Sequence, residues 1–158
     1  MTYDISSLRL VEACQAEPGS LLGITNETGP MLPVLIVKVA DTDQLCGVAL
    51  SGPNAFNLYS LVGKRGIARK LEDPRIELSD EMASERSWCG TLIVGHTGPW
   101  LVVKKPVSAG FDQTRYVNLT DWTLHGVHGS GAIRYFDNWS LVEGPRETPH
   151  TVFRVSAT

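Results

Sequence analysis

The sequence predicts a mainly β protein made of two fused small barrels that arose by internal duplication and pack as one unit. Three observations carry this reading. Gly19-Ser20-Leu21-Leu22, followed by Thr28-Gly29-Pro30-Met31-Leu32, returns as Gly90-Thr91-Leu92-Ile93, followed by Thr97-Gly98-Pro99-Trp100-Leu101. In the same order, Phe56-Asn57-Leu58-Tyr59-Ser60-Leu61-Val62 returns without a gap as Phe136-Asp137-Asn138-Trp139-Ser140-Leu141-Val142. Between these blocks, short apolar runs alternate with clusters of turn formers, as in small curved sheets. Two copies of about 50 residues are too long and too few for a solenoid. Each alone is below the ~70 residues at which a core holds unaided, so the two should share one.

The elements follow in order. In residues 1–18, Ile5, Leu8, Val11 and Cys14 are spaced for a short helix capped by Asp4 and stopped by Glu17-Pro18-Gly19, while Leu8 and Leu10 fit a strand equally well. Residues 19–63 form the first copy. Strands at 21–25 and 31–39 flank Asn26-Glu27-Thr28-Gly29-Pro30, a string of turn formers. The run Val34-Leu35-Ile36-Val37 is apolar at every position, which suits a strand covered on both faces, with Pro33 at its start. Asp41-Thr42-Asp43 and Ser51-Gly52-Pro53-Asn54 bound the next strand, and 58–62 closes the copy. Residues 64–87 read as a charged connector, basic from Lys64 to Lys70 and then acidic, with two helical turns capped by Ser79.

Residues 88–144 form the second copy, with strands at 88–95, 100–105 and 115–123 and a bulge near Thr120-Asp121. Pro30 precedes Phe56 by 26 positions, whereas Pro99 precedes Phe136 by 37, which places an insertion at 106–131. Residues 145–158 add a C-terminal strand after Pro145 and Pro149.

Pro18-Gly19-Ser20-Leu21 and Leu32-Pro33-Val34-Leu35-Ile36-Val37 resemble the opening strands of SH3-like barrels of the MazF/PemK toxin type. The resemblance implies an SH3-like barrel in each copy. Ser20 stands where that family carries aspartate, and Leu32 where it carries the arginine of its active site, so no ribonuclease activity is implied.

Composition bounds the function. With 158 residues, 42% hydrophobic and 20% charged, the chain has the make-up of one ordinary globular domain. A net charge of −3 lacks the Lys/Arg excess on which non-specific nucleic-acid binding rests. No apolar run approaches the ~20 residues that cross a bilayer. Met1-Thr2-Tyr3-Asp4 lacks the look of a secretory signal, and Cys14, Cys46 and Cys89 are an odd, unpaired set. The expected location is the cytoplasm.

Trp88, Trp100, Trp122 and Trp139 all fall in the second half. Tyr59 and Trp139 hold matching places in the repeat and read as a core anchor. Trp122 stands beside the insertion, ringed in sequence by Asp112, Arg115, His125 and His128, and reads as part of a recognition surface. The expectation is a non-catalytic binding module with a protein partner, with no catalytic residue, metal or cofactor assigned.

Two alternatives stand beside it. One is a metal-assisted hydrolase using His125, His128 and a carboxylate such as Asp112 or Asp121, with His96 and Cys89 as further donors. A spacing of three in a strand sends two rings to opposite faces, and no CxxC or HExxH motif accompanies them. Gly129-Ser130-Gly131 is not a nucleophile elbow, and no phosphate loop is present. The other alternative is nucleic-acid binding through Lys64, Arg65, Arg69 and Lys70.

Overall fold

A computed structural model describes residues 9–24, 31–79, 89–107, 110, 112–129, 131 and 133–156. The described chain is mainly β. The first half contains β1 (Leu10–Glu12), β2 (Ser20–Ile24), β3 (Leu32–Val39), β4 (Leu45–Ala49), β5 (Leu58–Tyr59) and β6 (Arg65–Lys70). After β7 (Arg75–Leu78), the second half contains β8 (Leu92–Gly95), β9 (Gly98–Lys105), β10 (Gln113–Asn118), β11 (Thr123–His125) and β12 (Arg134–Phe136). β13 (Trp139–Glu143) and β14 (His150–Val155) complete the chain.

One pairing pattern runs through both halves. β2, β3, β4 and β5 form an antiparallel meander, and β6 returns to β2. β8, β9, β10 and β11 do the same, and β12 returns to β8. The registers match residue by residue. Pro33 faces Gly23, and Pro99 faces Val94. The Gly19 N–H donates to the Ile36 carbonyl at 2.8 Å, and the Gly90 N–H donates to Val102 at the same distance. Leu50 donates to Pro33 as Leu119 donates to Pro99.

The halves engage reciprocally. β11 pairs in parallel with the end of β3, and Asn57, just before β5, bridges in parallel to Lys104 on β9. Lys38 donates to the Trp122 carbonyl and Lys104 to the Phe56 carbonyl, each at 3.0 Å. Phe56 and Trp122 both adopt left-handed backbone, with φ of 63° and 60°. Each ring covers a glycine of the opposite half, Trp122 over Gly19 and Phe56 over Gly90. Such mutual contacts are what an approximate two-fold axis produces.

This geometry corrects several sequence expectations. The counterpart of Phe56 is Trp122, not Phe136, and Pro33 precedes Phe56 by 23 positions as Pro99 precedes Trp122 by 23. Tyr59 lies half-buried in β5 of the large sheet, whereas Trp139 is fully buried in the separate sheet β14-β13-β7. They are not one equivalent site. The stretch 106–131 is no decoration, because it supplies β10 and β11 and sets Val117, Leu119 and Leu124 into the core.

Neither half is a closed barrel. The large sheet is open, ordered β1-β6-β2-β3-β11-β10-β9-β8-β12, with β4 and β5 branching from β3. The physical reason lies in the reciprocal pairing: the free edge of each fourth strand meets the other half, so it does not close on its own fifth strand. Residues 65–70, read as connector, form the strand between β1 and β2: Ala68 packs on the first half's cluster, Arg65 and Lys70 stay exposed, and the half-buried Arg69 pairs with Glu143. The helical turns expected over 79–86 lie almost wholly outside the described residues. From residue 9 onward, the expected N-terminal helix is replaced by β1 and a 3-10 turn over Ala13–Gln15. That turn buries Ala13, and Ala16 beside it, against the first half.

Among the described residues the core has three parts. Leu35, Val37, Val48, Leu101, Val103, Val117 and Trp139 form a cluster shared by the halves. Val34 and Ile36, on the opposite face of β3, join Leu22, Ile24 and Leu61 in a cluster belonging to the first half. Trp100 and Val102 join Ile93 in the matching cluster of the second.

A side chain at Gly19 would meet both strain and a ring. Its φ is +81°, and an added Cβ would lie 2.5 Å from Trp122. Gly19→Ala should therefore lower the unfolding free energy by about 3 kcal/mol in urea denaturation. Gly52 shares the φ of +81° but has open space around it, so Gly52→Ala should cost only about 1 kcal/mol. Equal losses at the two positions would show that the Trp122 contact does not constrain the fold.

Candidate functional site

The two halves differ most at the mouth of their private cores. In the first half, Val34, Gly47 and Ala68 hold the inner positions, and Leu61, Ala13 and Ala16 fill the space above them. The corresponding register positions in the second half are Trp100, Tyr116 and Tyr135. Trp100 is buried, whereas Tyr116, Tyr135 and Ile133 are half-buried around it. Val127, next to His128 in the chain, is 77% exposed.

Two histidines rim this aromatic mouth. His125 stands edge-on to Trp100 at 5.2 Å between ring centroids, and His128 edge-on to Tyr116 at 5.0 Å. The Trp100 indole N–H donates to Thr97 Oγ1 at 3.0 Å. The Thr123 hydroxyl donates to Asp121 Oδ1 at 2.6 Å and lies 2.7 Å from His125 Nε2. Since the hydroxyl proton is committed to Asp121, His125 Nε2 is the donor of that second bond, which fixes its tautomer and ring plane. His128 Nδ1 is buried with no hydrogen-bond partner among the described residues. A buried polar atom left unpaired is costly, so it is a natural point of attachment for a bound group.

The expected site residues divide into four places. His125 and His128 share the aromatic mouth. Trp122 is half-buried, with its ring over Gly19, and packs against the shared core. Asp112 pairs with Lys104 at 3.5 Å. Arg115 sits one residue from Tyr116 and therefore on the other face of β10, where it donates to the Gln113 side chain and the Thr114 carbonyl. Trp88 lies outside the described residues. Sequence reasoning missed Tyr116 and Tyr135 as lining residues. The signal was available, since Tyr116 alternates with the core residue Val117.

Among the described residues, no three His, Cys, Asp or Glu side chains converge as metal ligands. His125 and His128 rest on different aromatic rings and share no third donor. Cys46 and Cys89 do not offer a thiolate. Burial pushes the Cys46 thiol up to about 11 and raises that of Cys89, so both stay protonated at neutral pH.

The basic run is largely matched by acid. Arg65 pairs with Glu12 at 2.8 Å, Arg69 with Glu143, and Lys70 with Glu17 at 3.9 Å, while Lys64 lies over the Tyr59 ring. Among the described residues, no helix is long and apolar enough to cross a membrane.

In comparisons with known proteins, the chain matches no protein family, no curated protein and no solved structure.

Proposed function

We propose that the protein is a non-catalytic binding module in which two duplicated SH3-like units share a core and the second unit carries the recognition surface for a protein partner. The repeated strand pairing and the reciprocal Phe56 and Trp122 contacts support the duplication. The carrying observation for function is the asymmetry between otherwise matching halves. Where the first unit fills its mouth with its own N-terminal alanines, the second leaves Tyr116, Tyr135 and Ile133 partly open, with exposed Val127 next in the chain to His128, whose Nδ1 has no partner among the described residues. Aromatic side chains with an apolar body and a polar tip dominate protein recognition sites. The surface is the aromatic mouth, with His125 and His128 at its rim. Trp122 serves it indirectly, by anchoring β11.

The test is affinity capture from a lysate, comparing the full chain with Tyr116→Ala and Val127→Ser. Circular dichroism verifies that each variant is folded. A partner held by the wild type should be lost by about tenfold or more from the tyrosine variant. Retention of the same proteins by both folded variants would place the contact surface elsewhere.

A further inference from the structure

The reciprocal ladders between the halves are unequal, and the difference opens a cleft. On one side, Lys38 donates to Trp122 and Ala40 donates to Leu124, which gives β11 and β3 two bridged positions. On the other, Lys104 donates to Phe56, and the pairing ends at a single bridge. The residue matching Ala40 is Pro106, which has no N–H to offer the Leu58 carbonyl. The strands part there. A cleft of about 800 Å³ lies at this point, within the range of small-molecule sites.

Its walls are matched residues of opposite character. Leu58 and Leu124 are counterparts at the junction and both line it. Val39 on the first half's side corresponds to Lys105 on the second's, and Cys46, which faces Val37, corresponds to Arg115, which faces Val103. At these two matched positions the first half places uncharged Val39 and Cys46 where the second places cationic Lys105 and Arg115. Lys105 and Arg115 are diagonal neighbours on one face of β9 and β10. Among the described residues Arg115 hydrogen-bonds only neutral acceptors, the Gln113 side chain at 2.7 Å and the Thr114 carbonyl at 2.9 Å. Among the described residues, no carboxylate lies within ion-pair distance of either cation, although Lys104 next door is paired with Asp112. Asp43 lines the first half's side and would repel a negative head placed there.

We propose that this cleft binds a small amphipathic monocarboxylate, with its head on Lys105 and Arg115 and its apolar body over Leu58, Leu124 and Cys46. The guanidinium fork matches a carboxylate, and the protonated thiol of Cys46 presents an uncharged surface to the tail. The site is separate from the aromatic mouth, since Arg115 and Tyr116 project from opposite faces of β10.

Octanoate and its neutral analogue octanamide test this by calorimetry on the full chain, with methyl NMR to locate the ligand. Octanoate should saturate a single site, shift the methyl resonances of Leu58 and Leu124, and bind about tenfold tighter than octanamide. Lys105→Met with Arg115→Met should abolish that preference while octanamide still binds. Pro106→Ala restores the missing donor, should extend the β5–β9 ladder into the cleft, and should weaken both ligands. Equal affinity of octanoate and octanamide for the wild type would overturn the proposal. So would unchanged octanoate binding by the double variant, or the absence of saturation at millimolar octanoate.

Discussion

Trp139→Ala is expected to lower the unfolding free energy by about 4 kcal/mol, near the top of the range for a single core truncation. Trp139 is 0% exposed and is the largest fully buried side chain of the described residues. It sits in β13, the middle strand of the small sheet, and stacks edge-on against Phe153 at 5.2 Å. Its indole N–H donates to the Gly90 carbonyl at 2.9 Å, tying this sheet to the glycine on which Phe56 rests. Truncation therefore opens a cavity in the core shared by both halves and leaves a carbonyl unpaired. For a chain of this size, about 4 kcal/mol corresponds to a fall in Tm on the order of 10 °C. Trp139→Phe keeps most of the volume but loses the bond, and should cost about 1–3 kcal/mol. A loss below 1 kcal/mol for the alanine variant in urea denaturation would remove Trp139 from its place as the keystone of the shared core.

Arg69→Met should be nearly as damaging, for an electrostatic reason. Glu143 is 6% exposed, and its carboxylate accepts from Arg69 Nη1 at 2.9 Å and from the Glu72 N–H at 3.0 Å. Burial alone would raise its pKa. The hydrogen bonds from Arg69 and Glu72, with the charges of Arg69 and His150, outweigh burial and hold it below its ordinary 4.5. A carboxyl whose folded pKa is depressed adds stability above its unfolded pKa, and that stability is lost as pH falls through the folded value. The wild type should therefore weaken on acidification below about pH 4.5 from this group.

Removing the arginine leaves a buried carboxylate without its counter-charge, with the Glu72 N–H bond remaining, at a cost of about 3 kcal/mol at pH 7. In the variant, burial acts with much weaker opposition, Glu143 favours its proton, and the deficit against the wild type should shrink toward pH 4. Arg69→Met combined with Glu143→Leu should recover most of the loss, because no charge remains in the site. A deficit that stays constant between pH 7 and pH 4 in denaturation experiments would refute this account of the pair.

How much was legible in the chain depends on whether a signal was local. The four-residue apolar run of β3 announces a strand covered twice, and each face does enter a different cluster, Leu35 and Val37 in one, Val34 and Ile36 in the other. The turn formers at 41–43 and 51–54 fall outside the strands, as their chemistry requires. The match of Phe56 to Phe136 misled, because the true correspondence with Trp122 preserves a backbone conformation and a hydrogen bond rather than a residue type. Lys64 to Lys70 was misread because its carboxylate partners, Glu12, Glu17 and Glu143, are far away in sequence.

The site shows the same division. His125 and His128 were visible as unusual residues near aromatic side chains, but the direction of each ring depends on Trp100, Thr123 and Tyr116 once the strands are paired. Trp122 looked like a surface anchor because it stands at a phase slip. That slip is the left-handed residue that drops the ring onto Gly19, about a hundred positions earlier.

The sequence by itself determined that the chain is mainly β, where β2 to β5 and β14 lie, and that Pro33 and Pro99 open the strands that carry the core. Alternation, proline and turn chemistry act over a few residues, so the chain records them locally. Tertiary structure alone decided which half covers which, why the sheet stays open, and where a cleft is left between the units. Those outcomes rest on contacts such as Lys104 to Phe56, and on the bond that Pro106 cannot make to Leu58, between residues that meet only after the halves have folded onto each other.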